Sequence, residues 1–303
     1  MDNVNDFFAT LSSFLWGWPM IVLLLGTHVF LTVRLRFPQR KLFTAIRISV
    51  QRDKSQKGDV SQFGALATAL AATIGTGNII GVATAVALGG PGAVFWCWLT
   101  GVFGISTKYS EALLAIKYRV KSESGRMLGG PMYTLERGLG WHKMGMLFAV
   151  FTAIAAFGIG CTVQANAIST IMHASYGINT EVSGGVLMLL SAAVIIGGVR
   201  SISKVCSMLV PLMALLYVLG CIFILCVNAG YVMPALRLIV CSAFSPQAAG
   251  GGFAGASVIM AARYGIARGL FSNESGLGSA PIVAAAARTK NPVRQALVSS
   301  TGT

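Results

Sequence analysis

Ala71-Ala-Thr-Ile-Gly-Thr-Gly-Asn78 stands in the middle of an apolar run reaching from residue 61 to residue 88. A run of that length crosses a bilayer as a helix, which takes about 20 apolar residues. Inside lipid, backbone groups released from a helix must find partners, so a polar, glycine-bearing interruption persists only where it packs on protein or lines a cavity. Gly75 and Gly77 permit non-helical backbone. Thr73, Thr76 and Asn78 bring side-chain oxygens. With freed carbonyls these would make an oxygen-only cage, which suits a hard cation such as Na+. The free N–H groups of the resumed half-helix favour a carboxylate. Small residues that let a second helix come close are the competing reading of the same stretch. A dinucleotide turn is disfavoured, because Gly75-x-Gly77-x-x-x-Gly81 has one residue too many and follows no strand.

Composition places this run among others of its kind. The 303 residues are 55% hydrophobic and only 11% Asp, Glu, Lys and Arg, with a mean hydropathy of +0.73. A soluble domain carries about 25% charged residues, and a disordered one is poor in apolar residues. Neither class fits, and a polytopic membrane protein does. The net charge of +14 sits in blocks between apolar runs, as in cytoplasmic loops facing an anionic leaflet, so it does not point to nucleic acid. The six cysteines form no CxxC pair and only three histidines accompany them, which gives no zinc spacing. No GxSxG, HExxH or Walker A sequence occurs, so an enzyme is not expected and neither is an organic cofactor.

The first span is read at Phe14–Val33, preceded by acidic Asp2 and Asp6 rather than by the basic start of a signal peptide. Further spans are expected at about 61–88, 93–116, 144–172, 183–199, 205–228 and 246–270, with a last one opening near Val293. The runs are too long for barrel strands, so the fold class is all-α. With the N-terminus outside, the blocks 34–59, 117–143, 200–204 and 263–294 face the cytoplasm and hold 21 of the 23 Lys and Arg. That bias sets the orientation. The chain closes on Val298-Ser-Ser-Thr-Gly-Thr303, a turn or two into a helix, so the reading expects a sequence cut short.

A second interruption is expected at Gly250-Gly-Gly-Phe-Ala-Gly255, in the seventh span. After it, Asn273 and Glu274 are expected on the cytoplasmic side, as gating residues or as the salt bridge or cap that holds the loop. Gly89-Gly-Pro-Gly92 reads as a tight turn outside. Gln164 and Asn166 fall near mid-membrane, where amides bond a neighbouring helix or contact substrate. Lys108 and Glu111, three residues apart, are expected to bridge each other.

Five motifs in order, Gly75-Thr-Gly-Asn-Ile79, Gly89-Gly-Pro-Gly-Ala-Val-Phe-Trp96, Gly129-Gly-Pro-Met-Tyr133, Val163-Gln-Ala-Asn-Ala167 and Phe271-Ser-Asn-Glu-Ser-Gly-Leu-Gly-Ser-Ala-Pro281, resemble the alanine or glycine:cation symporter family, the sodium:alanine symporters. The resemblance covers what would be the family's N-terminal two-thirds. It implies a LeuT-like (APC) inverted-repeat fold with an incomplete second repeat. Residues 1–33 would be an extracytoplasmic start and an extra helix, and 34–60 a basic cytoplasmic loop. Residues 61–228 would form the first five-helix repeat. Residues 246–303 would open the second, with a broken helix, a cytoplasmic loop and part of a next helix. It implies carbonyl cation ligands at Ala71, Thr73 and Ile74, the Asn78 side chain as a further ligand, and substrate contacts at Gly75, Thr76, Gly77, Asn78 and Gln164. Na+ would travel with alanine or glycine across a bacterial inner membrane by alternating access. Ser275, Val283 and Cys97 depart from the family, which commonly has Ala, His and Met there. A transport-incompetent subunit and a channel are the alternatives. The orientation predicts that a cysteine placed in residues 34–57 reacts with an impermeant maleimide only from the cytoplasmic face. Labelling from outside in intact cells would invert the topology.

Overall fold

The computed structural model describes residues 2–51, 58–244 and 258–303. The expected glycine interruption at 250–255 lies outside them. Helices make up nearly all of the rest. The opening pair is α1 (Asp2–Leu15) and α2 (Trp18–Arg34), joined at Trp16 and Gly17, so the first apolar helical stretch starts earlier than its hydropathy suggested. A short 3-10 turn, Pro38–Lys41, leads to α3 (Leu42–Val50). The run from 61 to 88 becomes α4 (Gln62–Thr73), a π turn at Gly77–Gly81 and α5 (Val82–Gly89), bent by 48° at the break. α6 (Gly92–Lys117) follows, 26 residues long, about 39 Å at 1.5 Å per residue. A two-stranded antiparallel ribbon, β1 (Val120–Lys121) with β2 (Met127–Leu128), turns the chain into α7 (Pro131–Leu139).

α8 (His142–Ala155) and α9 (Val163–Tyr176) continue one another through a π segment, Ala156–Thr162. Then come α10 (Thr180–Ile195) and α11 (Gly198–Val227). α12 (Ala229–Phe244) occupies a stretch expected only to connect spans. The last elements are α13 (Val258–Asn273), α14 (Ala280–Ala285) and α15 (Pro292–Ser300). Among the described residues, three helices are long and apolar enough to cross a membrane, Asn5–Arg34, His142–Tyr176 and Gly198–Val227, and the bent pair makes a fourth if taken as one span. α8 to α12 leave Phe157, Ile196, Met208, Phe223 and Val227 facing outward. Such a surface is stable against lipid or further apolar helices and costly in water. The chain is an all-α membrane protein.

α6 is the element on which the others converge. α13 lies alongside it in the same direction, with no room for side chains between them. A Cβ on Gly265 would meet the Ala93 carbonyl and the Trp96 side chain, and one on Gly269 the Thr100 hydroxyl and the Cys97 backbone. This Gly-x-x-x-Gly seam lets the two backbones touch, which is how helices gain contact where lipid removes the hydrophobic drive. α12 closes the same end of α6: Gly92 abuts the Ser242 backbone, and Phe244 packs edge-on against Phe95, ring centroids 5.0 Å apart. α2 covers α13 through Ile21, Leu24, Ile266 and Leu270. At the other end of α6, Arg119 donates to the carbonyls of Ala285, Ala287 and Thr289, and residues 59–60 join 286–288 through main-chain bonds of 2.7 to 3.1 Å.

The seam fixes the level of everything after α13. Gly265 sits beside Ala93, and Ser275 beside Gly104, halfway along α6. Asn273 and Glu274 therefore lie next to the middle of the third expected span, whereas their sequence surroundings placed them in a cytoplasmic loop. α13, the loop 274–279 and α14 form an interrupted element running beside α6. Arg263, whose guanidinium donates to the Ser13 carbonyl at 3.0 Å, lies toward the opposite end from Arg288. A leucine at Gly269 has to displace Thr100 and the Cys97 backbone. We expect Gly269→Leu to lose most monodisperse protein on detergent gel filtration, while Gly101→Leu, which meets open space, keeps it.

Candidate functional site

The break after α4 begins where Ile74 leaves the helix, at φ −84° and ψ 77°. The Gly75 N–H turns to the Thr73 carbonyl at 3.1 Å, and the Asn78 N–H turns to the Gly75 carbonyl at 3.1 Å. In a continuous helix these two N–H groups would serve Ala71 and Ile74. Both carbonyls thus lose their helical donors, which is what a cation ligand requires. The Thr73 carbonyl is in a different position. It accepts Gly75 N–H and also the Asn78 side-chain amide, Nδ2 to O 2.7 Å. In this conformation the Asn78 amide nitrogen thus faces the Thr73 carbonyl. Thr73 is buried, and its hydroxyl donates to the Leu70 carbonyl at 3.2 Å.

Neither Gly75 nor Gly77 adopts a positive φ. Their contribution here is open surface. A Cβ on Gly75 would sit 3.4 Å from Gln164 Nε2, and one on Gly77 would find only the Phe271 ring, at 4.0 Å. Gln164 reaches the break from α9, two residues beyond the π segment. Its Oε1 accepts the Thr76 hydroxyl at 2.6 Å. π turns insert one residue into a helix and recur at functional sites, since they re-aim the side chains that follow. Asn166, the other mid-span amide, is exposed and accepts the Thr170 hydroxyl at 3.0 Å.

Two residues not singled out for this site join it from α13. Phe271 faces Gly77, and the Arg268 side chain lies against Gly81 with its guanidinium 5.9 Å from the Phe271 ring centroid. Phe271 opens the Phe-Ser-Asn-Glu motif, which was the available signal. Arg268 carried none, because its neighbours read as a basic loop.

Asn273 and Glu274 do not reach the first break. The Asn273 side-chain oxygen accepts the Ser275 N–H at 2.9 Å, and its carbonyl accepts Lys108 Nζ at 2.8 Å. Glu274, at φ +54°, accepts the Ser279 hydroxyl at 3.0 Å. Both shape the second loop. Lys108 and Glu111 do not bridge each other as expected, since Lys108 is drawn to the carbonyl end of α13. His28, fully buried, lies 2.7 Å from the Thr107 hydroxyl through Nδ1, and Thr32, Gln39 and Ser106 form an adjoining hydrogen-bonded group.

Two interrupted helical elements thus lie side by side in an all-α membrane fold, with Phe271 of one facing Gly77 of the other. The chain belongs to the sodium:alanine symporter family, whose model matches residues 1–303. It is 52% identical over 303 residues to an uncharacterized transporter of Haemophilus influenzae, covering 99% of this chain and 66% of that protein. It is also 52% identical over 301 residues to the sodium/alanine symporter AgcS of Methanococcus maripaludis, covering 97% and 66%. A probable sodium/glutamine symporter of Bacillus subtilis, GlnT, is 39% identical over 290 residues, covering 95% and 60%. The chain spans about two thirds of the length of the curated relatives it matches. These relatives are named as transporters and carriers, not as enzymes.

Ser275, where the family commonly carries Ala, is fully buried with a hydroxyl that finds no partner. An unsatisfied buried hydroxyl costs about 1–3 kcal/mol. Ser275→Ala should therefore raise the detergent melting temperature by a few degrees. A fall would mean that the hydroxyl is engaged.

Proposed function

We propose that this chain serves Na+-coupled import of a small amino acid, alanine or glycine, across the inner membrane of a bacterium, with its N-terminus outside. The observation that carries this reading is the break at 73–78. It offers carbonyls at Ala71 and Ile74 that have lost their helical donors, an Asn78 amide that can turn, and the open backbone of Gly75 and Gly77 within reach of Gln164. Na+ would take the Ala71 and Ile74 carbonyls, with the Thr73 carbonyl and Asn78 Oδ1 joining once the amide has turned. The substrate carboxylate would meet N–H groups near Gly75, Thr76 and Gly77, and Gln164 would give up the Thr76 hydroxyl to contact the substrate. Cation and carboxylate would then lie close together. Each lowers the cost of desolvating the other, which is the physical origin of coupling.

The fold is read as LeuT-like. α4 to α11 would form the first inverted repeat, and α13 with α14 the broken helix that opens the second. The adjacency of the two interruptions, with Phe271 over Gly77, supports that arrangement. Asn273 and Glu274 would act on the loop's shape rather than as direct ligands. The names of the relatives support a sodium-coupled amino-acid carrier, and they include both alanine and glutamine among the named substrates.

Uptake of labelled alanine by vesicles containing this chain, under an inward Na+ gradient, is expected to fall to background when K+ replaces Na+. Asn78→Ala should raise the Na+ concentration for half-maximal uptake about tenfold, a loss of about 1.4 kcal/mol. Gln164→Ala should raise half-saturating alanine instead. Sodium dependence unchanged in Asn78→Ala, in protein that inserts normally, would remove the site assignment.

A further inference from the structure

The second interruption is not open like the first. α13 ends at Asn273 beside the middle of α6, where Asn273 is buried. Lys108 of α6 is 1% exposed, and its ammonium donates to the Asn273 carbonyl at 2.8 Å. A cation at the C-terminus of a 16-residue helix also meets the negative end of the helix dipole. One turn further along α6, Glu111 takes no part in this contact, and its buried Oε2 has no hydrogen-bond partner among the described residues. In the loop, Gly276 and Gly278 hold left-handed conformations, φ +88° and +80°. Gly276 is pressed against Leu24 and His28, and Gly278 against Phe148 and Pro131. Lys108 thus serves the loop rather than its neighbour on α6.

We propose that Lys108 is a positioning residue that staples the loop 274–279 to α6, so that α6, α13 and α14 move as one body against the open break at 73–78. The sequence context fits this role. A buried charged side chain is costly, and the Lys108 charge is offset by a main-chain carbonyl released at the end of α13. The staple also fixes Phe271 and Arg268, two and five residues before Asn273, where they pack on Gly77 and Gly81. The functional part of the inference rests on the transport reading above. The structural part does not.

The test uses the whole chain with its six cysteines replaced and Leu277→Cys added, reconstituted in vesicles. Maleimide labelling at position 277 reports whether the loop is held. Lys108→Met should raise the labelling rate more than fivefold, while Lys108→Arg, which keeps a cationic donor, should stay within fivefold. In the natural cysteine background, Lys108→Met should lower alanine turnover per inserted molecule about tenfold and move half-saturating alanine less than threefold. A merely structural role would reduce the amount of inserted protein and leave turnover per molecule intact. Should Lys108→Met fail to accumulate, Lys108→Gln is read by the same two measurements. Labelling within fivefold of the parent in the disruptive variant overturns the staple. If the parent takes up no alanine, the transport reading fails and the labelling result alone decides the staple.

Discussion

A carbonyl or N–H released from a helix inside a bilayer has no water to bond, and the group costs several kcal/mol until something else satisfies it. The two interruptions of this chain meet that constraint in opposite ways. Around Asn273 the released carbonyl is taken by Lys108, the Ser275 N–H finds the Asn273 side-chain oxygen, and the Glu274 carboxylate accepts the Ser279 hydroxyl. Around Ile74 they are taken only in part. Thr73 is satisfied by Asn78, whereas the carbonyls of Ala71 and Ile74 have lost their helical donors. The unsatisfied break is where a cation gains most by arriving, and the satisfied one is suited to transmit position.

α6 makes this division possible. Its first half carries Ala93, Cys97 and Thr100 against Gly265 and Gly269, which sets the register of α13 without side-chain interdigitation. Its middle carries Lys108 and Glu111. Its last turns carry Ala112, which packs against Ala284 of α14, and lead to Arg119, which gathers the carbonyls of Ala285 and Ala287. One helix thus sets the register of the whole interrupted element. The first break faces that element through Gly77 and Gly81, so movement between the two bodies would act directly on the candidate site.

The first break was legible because its residue types conflict with their surroundings: Gly75, Thr76, Gly77 and Asn78 interrupt a long apolar run, and no distant partner is needed to see it. The family resemblance was legible for the same reason, in five ordered motifs. The level of Asn273 and Glu274 was not. Ser-Asn-Glu-Ser between arginines reads locally as a water-facing loop, and its burial depends on Lys108, 165 residues away. The Lys108–Glu111 spacing suggested a mutual bridge because helical geometry allows one, while the partner that Lys108 takes lay on another helix. α12 escaped notice because Pro234 and Arg237 break its apolar run. The α13 seam escaped because Gly265 and Gly269 acquire meaning only against Ala93 and Cys97.

Equilibrium binding of labelled alanine to the purified chain, measured across Na+ concentrations and repeated with Asn78→Ala, tests the central claim most directly. If the open break at 73–78 holds both ligands, Na+ tightens alanine binding, alanine tightens Na+ binding by the same factor, and Asn78→Ala abolishes both effects. Alanine binding that ignores Na+, or a coupling factor unchanged in Asn78→Ala, would contradict it.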